Sequence, residues 1–167
     1  MNIKFFCPLW GHEDVDLSLF FNKVKDAGYD GVEMSFFANQ RYKNQVLDLL
    51  DKLDLLLIAQ HWETSAGDFE DHKSEYRKNL MNLVDCNSLF INSQTGKDFF
   101  TYQQNAALIE IAKEISDKHN VKIVHESHRG KFSFASHITY QFLMNDPDLY
   151  LTFDVSHWCN VAESWLD

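Results

Sequence analysis

The chain has 167 residues, enough for one domain with a sizeable core, and 45% of them are hydrophobic and 14% aromatic. The formal net charge of −10 comes with scattered Lys and Arg, which disfavours nucleic acid as a partner. No apolar run approaches the roughly 18 residues of a membrane span. Cys7, Cys86 and Cys159 are too far apart for a disulfide framework or a zinc ribbon, and Lys4 and Pro8 break the N-terminal apolar stretch into a poor signal peptide. The expectation is a reduced, cytoplasmic protein that meets no membrane.

Residues 3–7 read as a first, β-prone strand. Val15, Leu19, Phe20 and Val24 recur at helical spacing over residues 15–27, and Gly28 closes that helix. Residues 31–35 form a second strand, and Val46, Leu49, Leu50 and Leu53 mark one face of the next helix. A third strand at 55–59 precedes a helix carrying Phe69, Tyr76, Leu80, Leu83 and Val84. Residues 88–92 make a fourth strand, Leu108, Ile109, Ala112 and Ile115 a helix face, and residues 121–124 a fifth strand. Phe134, Ile138 and Phe142 mark a helix that Pro147 stops, and residues 149–153 form a sixth strand followed by a short tail, 159–167.

Alternating β and α units imply an α/β fold with parallel strands and right-handed crossovers. A doubly wound sheet announces itself with a glycine-rich turn after its first strand, whereas Pro8-Leu9-Trp10-Gly11-His12 stands there. A (β/α) TIM-type barrel places its polar chemistry at the C-terminal ends of several strands. Glu33, His61, Asn92, Glu126 and Asp154 each sit at or just past such an end, so the barrel is expected. It is an incomplete one of about six parallel β/α units in a single domain, 1–167, because eight units would need roughly 230–250 residues.

The richest segment is Val124-His125-Glu126-Ser127-His128-Arg129-Gly130-Lys131, where a carboxylate, two imidazoles and a guanidinium follow a strand. Alternation points Glu126 inward if Val124 points inward. Arg129 is either a site residue or a surface pair partner. In Phe153-Asp154-Val155-Ser156-His157-Trp158, Asp154 and His157 either turn toward one site or form a helical cap and a ring packed on Trp158. His61, before Trp62, is either a substrate or second-metal contact or an imidazole bonded at the rim. Glu33 either bonds a ligand or supports a residue that does, or pairs with Arg41. Trp10, Trp62 and Phe36 are either an apolar wall for a bound ring or core.

The segments His125-Glu126-Ser127-His128-Arg129-Gly130 and Leu151-Thr152-Phe153-Asp154-Val155-Ser156-His157-Trp158 resemble those of the xylose-isomerase-like sugar phosphate isomerase/epimerase superfamily. Gly28-Tyr29-Asp30-Gly31-Val32-Glu33 is similar to that family's second-strand entry, and Thr95-Gly96-Lys97-Asp98 to its fourth loop in some members. The resemblance implies one divalent ion, Mn2+ or Mg2+ with Zn2+ as a third candidate, held by Glu126, Asp154 and ligands from strands seven and eight. It implies substrate contact by His157, and proton exchange by Glu126 with the carbon acid of a sugar or sugar phosphate through an enediolate. Strands seven and eight have no counterpart here, so the resemblance implies a barrel truncated after strand six, with weak metal binding and no isomerase turnover by this chain alone. Two alternatives stand beside this reading: a phosphodiesterase similar to endonuclease IV, and a non-catalytic barrel fragment. Assembly into a homo-oligomer is left open.

Overall fold

The computed structural model describes residues 3–36 and 39–165. Its six strands are all parallel and lie in chain order in one sheet, β1 (Phe6–Pro8), β2 (Gly31–Met34), β3 (Leu56–His61), β4 (Ile91–Ser93), β5 (Ile123–Glu126) and β6 (Leu151–Thr152). Helices α1 (Leu17–Asp26), α2 (Gln40–Leu53), α3 (Phe69–Met81), α4 (Tyr102–His119) and α5 (Ser136–Asn145) make the crossovers, and α6 (Val155–Ala162) follows β6. The sheet curls into a half-barrel, an incomplete (β/α) TIM-type barrel, as the alternation of elements implied.

Short polar residues start most helices by accepting bonds from otherwise unpaired N–H groups. Asp16 caps α1, Asn39 caps α2 and Asp68 caps α3. Thr101 and Gln104 form a reciprocal capping box on α4. Asp54 and Asn120, in the left-handed conformation, end α2 and α4. The core lies between sheet and helices, where Val32, Met34, Leu57, Ala59, Ile91 and Ile123 pack on Phe21, Val46, Tyr76, Leu80 and Leu108. Gly31 is required by close strand packing. A Cβ there would stand 2.2 Å from the Leu56 carbonyl oxygen and 2.7 Å from the Phe6 ring.

Several boundaries differ from the sequence reading: β3 runs on to His61, β5 is shifted to Ile123–Glu126, β6 shrinks to Leu151–Thr152, and Leu83, Val84 and Phe134 lie outside their helices. β1 begins at Phe6, and Ile3 and Phe5 are exposed. β4 begins at Ile91, although Leu89 and Phe90, just past the positive φ of Asn87, already share backbone bonds with β3. The expected tail belongs partly to α6, which starts as soon as Asp154 caps it; Leu166 and Asp167 lie outside the described residues. No residue of α6 is buried, although Val155 and Val161 are apolar. Among the described residues no helix is long and apolar enough to cross a membrane.

Candidate active site

Strand parity decides what faces the inside of the half-barrel. The register aligns Glu33 with Ile58, Gln60 with Asn92, Asn92 with Val124 and Glu126 with Thr152. Side chains two apart on a strand share a face, so Glu33, Gln60, Asn92, Gln94 and Glu126 all point to the same side. They line a cavity of about 370 Å³ at the C-terminal ends of the strands, closed by Trp10, His128, Thr152, Asp154 and His157. Glu126, Asp154 and His157, from two consecutive β/α units, meet there with Glu33 and Trp10.

The opposite parity sends His61 away. It aligns with Ser93, which aligns with His125, on the face that carries Leu57 and Ala59 into the core. His61 is fully buried, with Nδ1 3.0 Å from Ser93 Oγ and Nε2 2.7 Å from Thr64 Oγ1. Both ring nitrogens are thus engaged behind the sheet, and the contact expected of His61 with substrate or a second metal has no geometry to support it. Arg129 is exposed and does not line the cavity. Phe36 is buried in the core, while Trp10 and Trp62 pack at 5.3 Å beside the cavity and Trp10 Nε1 donates to Gln60 Oε1 at 3.0 Å. Glu33 accepts from Asn92 Nδ2 at 2.8 Å.

The carboxylates differ in their proton affinity. Burial, followed by the negative charge of Glu33, pushes Glu126 up to about 7; Asp154 adds to the push, and bonds from Gln94 and Asn92 act against it. Glu33 is also raised by burial. Asp154 lies below the usual range: burial opposes its ionisation, but bonds from the Ser156 hydroxyl and backbone and the charges of His157 and His128 outweigh it. One carboxylate therefore exchanges its proton near neutrality while another nearby stays ionised, an arrangement suited to acid–base chemistry.

Glu126, His128 and His157 each offer a ligand atom, all within 4.8 Å of one another. His128 Nδ1 lies 2.6 Å from the Arg129 carbonyl oxygen, which makes it the protonated nitrogen and leaves Nε2 with a lone pair. His157 Nε2 stands 3.6 Å from Asp154 Oδ2, and its Nδ1 is buried without a hydrogen-bond partner. A carboxylate with two imidazoles is a ligand set for a divalent transition metal, so these residues fit an ion. Asp154 falls outside this trio: its Oδ1 is taken by the Ser156 N–H at 2.9 Å and the Ser156 hydroxyl at 2.6 Å. Sequence reasoning assigned no role to His128, Gln60 or Gln94. The signal available was parity, since Gln60 and Gln94 alternate with core residues just as Glu126 does.

No family model and no curated protein matches the sequence. Solved structures do match the fold. A 3-keto-D-glucoside 4-epimerase from E. coli superposes with a TM-score of 0.72 at 13% identity, covering 97% of this chain and 72% of that one. A probable 3-DHS dehydratase involved in petrobactin synthesis from Bacillus anthracis gives 0.68 at 16% identity, covering 96% and 66%. A xylose isomerase-like TIM barrel protein from Mycobacterium smegmatis, in complex with magnesium, gives 0.66 at 10% identity, covering 90% and 63%. The chain thus spans about two thirds of the length of these barrels. Its fold is that of the xylose isomerase-like TIM barrels, over six of their β/α units.

Proposed function

We propose that the cavity serves metal-assisted proton transfer at the carbon beside a sugar carbonyl, the chemistry of a sugar isomerase or epimerase. The observation that carries this reading is the convergence of Glu126, His128 and His157 within 4.8 Å at the strand ends, inside a cavity walled by carboxamides and Trp10. The E. coli neighbour is an epimerase of a keto-glucoside, and the Mycobacterium smegmatis neighbour binds magnesium, which agrees with sugar as the substrate class and a divalent ion as the cofactor.

Glu126, His128 and His157 would hold the ion, and Asp154 would orient the His157 ring from behind, as carboxylates do for metal-bound histidines. A bound divalent ion polarises a carbonyl and its neighbouring hydroxyl and so stabilises the charge of an enediolate. The protein's own residues do the rest. Glu126 would accept or return the proton on the carbon, the role open to a carboxylate placed at the reacting centre. Asn92 and Gln94 hold its Oε2 in place at 3.1 and 3.5 Å. Trp10 offers its ring to the apolar face of the sugar.

The phosphodiesterase alternative is less well supported: such a site wants histidine ligands at strands three and four, but His61 is bonded to Ser93 and Thr64 behind the sheet and strand four offers Asn92 and Gln94. The test is incubation of the 167-residue chain with Mn2+ and ketohexoses in deuterated water. Exchange at one face of the carbon asks for less than net isomerisation: one base and one polarised carbonyl suffice. Deuterium entering beside the carbonyl, dependent on Mn2+ and lost in Glu126→Gln, is the expected result. Stoichiometric Mn2+ binding with no exchange overturns the reading.

A further inference from the structure

Asn92, on β4, is 2% exposed and lines the cavity between the two raised carboxyls. Its Nδ2 donates to Glu33 Oε1 at 2.8 Å and to Glu126 Oε2 at 3.1 Å, which uses both of its protons. Its Oδ1 is buried and has no hydrogen-bond partner. Turning the amide over gives no remedy, because it would strip Nδ2 of both its acceptors and leave two buried donors unpaired in place of one acceptor. The neighbours therefore fix the orientation, and a costly unpaired acceptor remains.

The surrounding wall has the same bias. Glu33, Glu126 and Asp154 are acceptors when ionised, Gln94 Nε2 already leans on Glu126, and the Trp10 N–H is spent on Gln60. No Lys or Arg is among the described residues that line the cavity. Gln60 Nε2, Thr152 and the histidines offer donors elsewhere on the wall, but beside Asn92 Oδ1 and the carboxyls a ligand has to bring hydrogen-bond donors. Hydroxyl groups do so, whereas a carboxylate or phosphate brings only acceptors and negative charge.

We propose that Asn92 is a specificity-determining residue whose Oδ1 accepts a hydroxyl proton from a neutral polyhydroxylated ligand while its Nδ2 holds Glu33 and Glu126 in position. The inference rests on the sugar reading of the same cavity. It goes further by naming the group that reads a hydroxyl and by selecting uncharged over phosphorylated ligand at the reacting end.

Calorimetry with the Zn2+-loaded chain tests it with D-fructose, D-tagatose, D-sorbose and D-psicose, then with the 1-, 3- and 4-deoxy analogues of whichever binds. The expected result is that one deoxy analogue binds wild type about tenfold more weakly than its parent, and that Asn92→Leu narrows this gap to within about twofold. A gap that persists in Asn92→Leu overturns the inference, as does an equal loss for parent and every analogue, which would mark a merely structural residue. Failure of all four ketohexoses to bind, or tighter binding of fructose 6-phosphate than of every neutral ketose, also overturns it. If Asn92→Leu does not fold, the side-chain amide resonances of Asn92 in the wild type decide: they shift with the ketose and not with the discriminating analogue, or the inference fails. Hydroxyl-dependent binding without proton exchange would leave Asn92 in this role and remove the isomerase reading. Proton exchange insensitive to Asn92 would do the reverse.

Discussion

At the scale of single residues, the site turns on which atoms remain free to bind an ion. With two imidazoles in the trio, affinity should follow ligand softness, with Zn2+ above Mn2+ and Mg2+ weakest. Competition titration against a fluorescent chelator measures this order; Mg2+ binding as tightly as Zn2+ would point to an all-oxygen site instead. Glu126→Gln should weaken Mn2+ binding by well over tenfold, since it removes the one anionic ligand of the trio. Asp154→Asn separates two roles. It keeps an oxygen to cap α6, and if Asp154 only orients His157 the loss should be about tenfold, in the 10- to 100-fold range of outer partners. A loss as large as that of Glu126→Gln would instead make Asp154 a ligand in its own right. Glu126 was legible from the sequence because it ends a strand on the face of Val124. His128 was not, since its direction depends on the turn after β5 and on a bond to the Arg129 carbonyl.

At the scale of elements, two contacts decide how well the strand ends are aligned. Gly31→Ala would drive a methyl into the Leu56 carbonyl, from which a Cβ stands only 2.2 Å. β2 and β3 would have to separate, at a cost of about 3 kcal/mol or more, and Glu33 would move with them. Urea denaturation read by tryptophan fluorescence checks this; a change below about 1 kcal/mol would show that the pair of strands yields freely. Thr101→Ala, by contrast, removes the capping box of α4 and should cost only about 1 kcal/mol, leaving the cavity intact. Helices were readable from apolar spacing, but the strand limits were not. Strands of two to six residues carry too few alternations to set an end.

At the scale of the whole molecule, three strands are tied by a buried polar chain on the helix side of the sheet. Thr64, His61, Ser93, Thr95 and His125 follow one another at 2.7 to 3.0 Å, and the Tyr76 hydroxyl from α3 reaches Ser93 and Thr95. Burial holds His61 down to about 3 and His125 down to about 4, so both are neutral in the folded protein. The unfolded chain binds their protons below its ordinary value of roughly 6.5. The contribution of these two histidines is therefore complete above about 6.5 and falls as pH drops toward 4, because at His61 and His125 only the unfolded state takes up protons in that window. Glu126, raised to about 7, acts in the opposite sense between about 7 and 4.5. For His61 alone the loss is on the order of 3 kcal/mol by pH 4. Urea titrations from pH 7 to 4 measure it. His61→Gln should flatten the slope, and an unchanged slope would show that other groups carry the acid sensitivity.

Local chemistry, legible in the sequence by itself, determined the β/α alternation, the parallel barrel class and the placing of carboxylates at strand ends. Each depends on near neighbours in the chain: an apolar period, a residue's position in its strand. Only the tertiary structure decided which side chains meet. Register set Gln60 beside Asn92 and turned His61 into the core, one residue's parity separating a cavity wall from a buried network. It likewise brought His128 to His157 across 29 residues of chain, with ring centroids 3.7 Å apart, and set Asn92 between two carboxyls. Such pairs are fixed by the curl of the sheet and by where each loop re-enters it, and neither is encoded within any short stretch of residues.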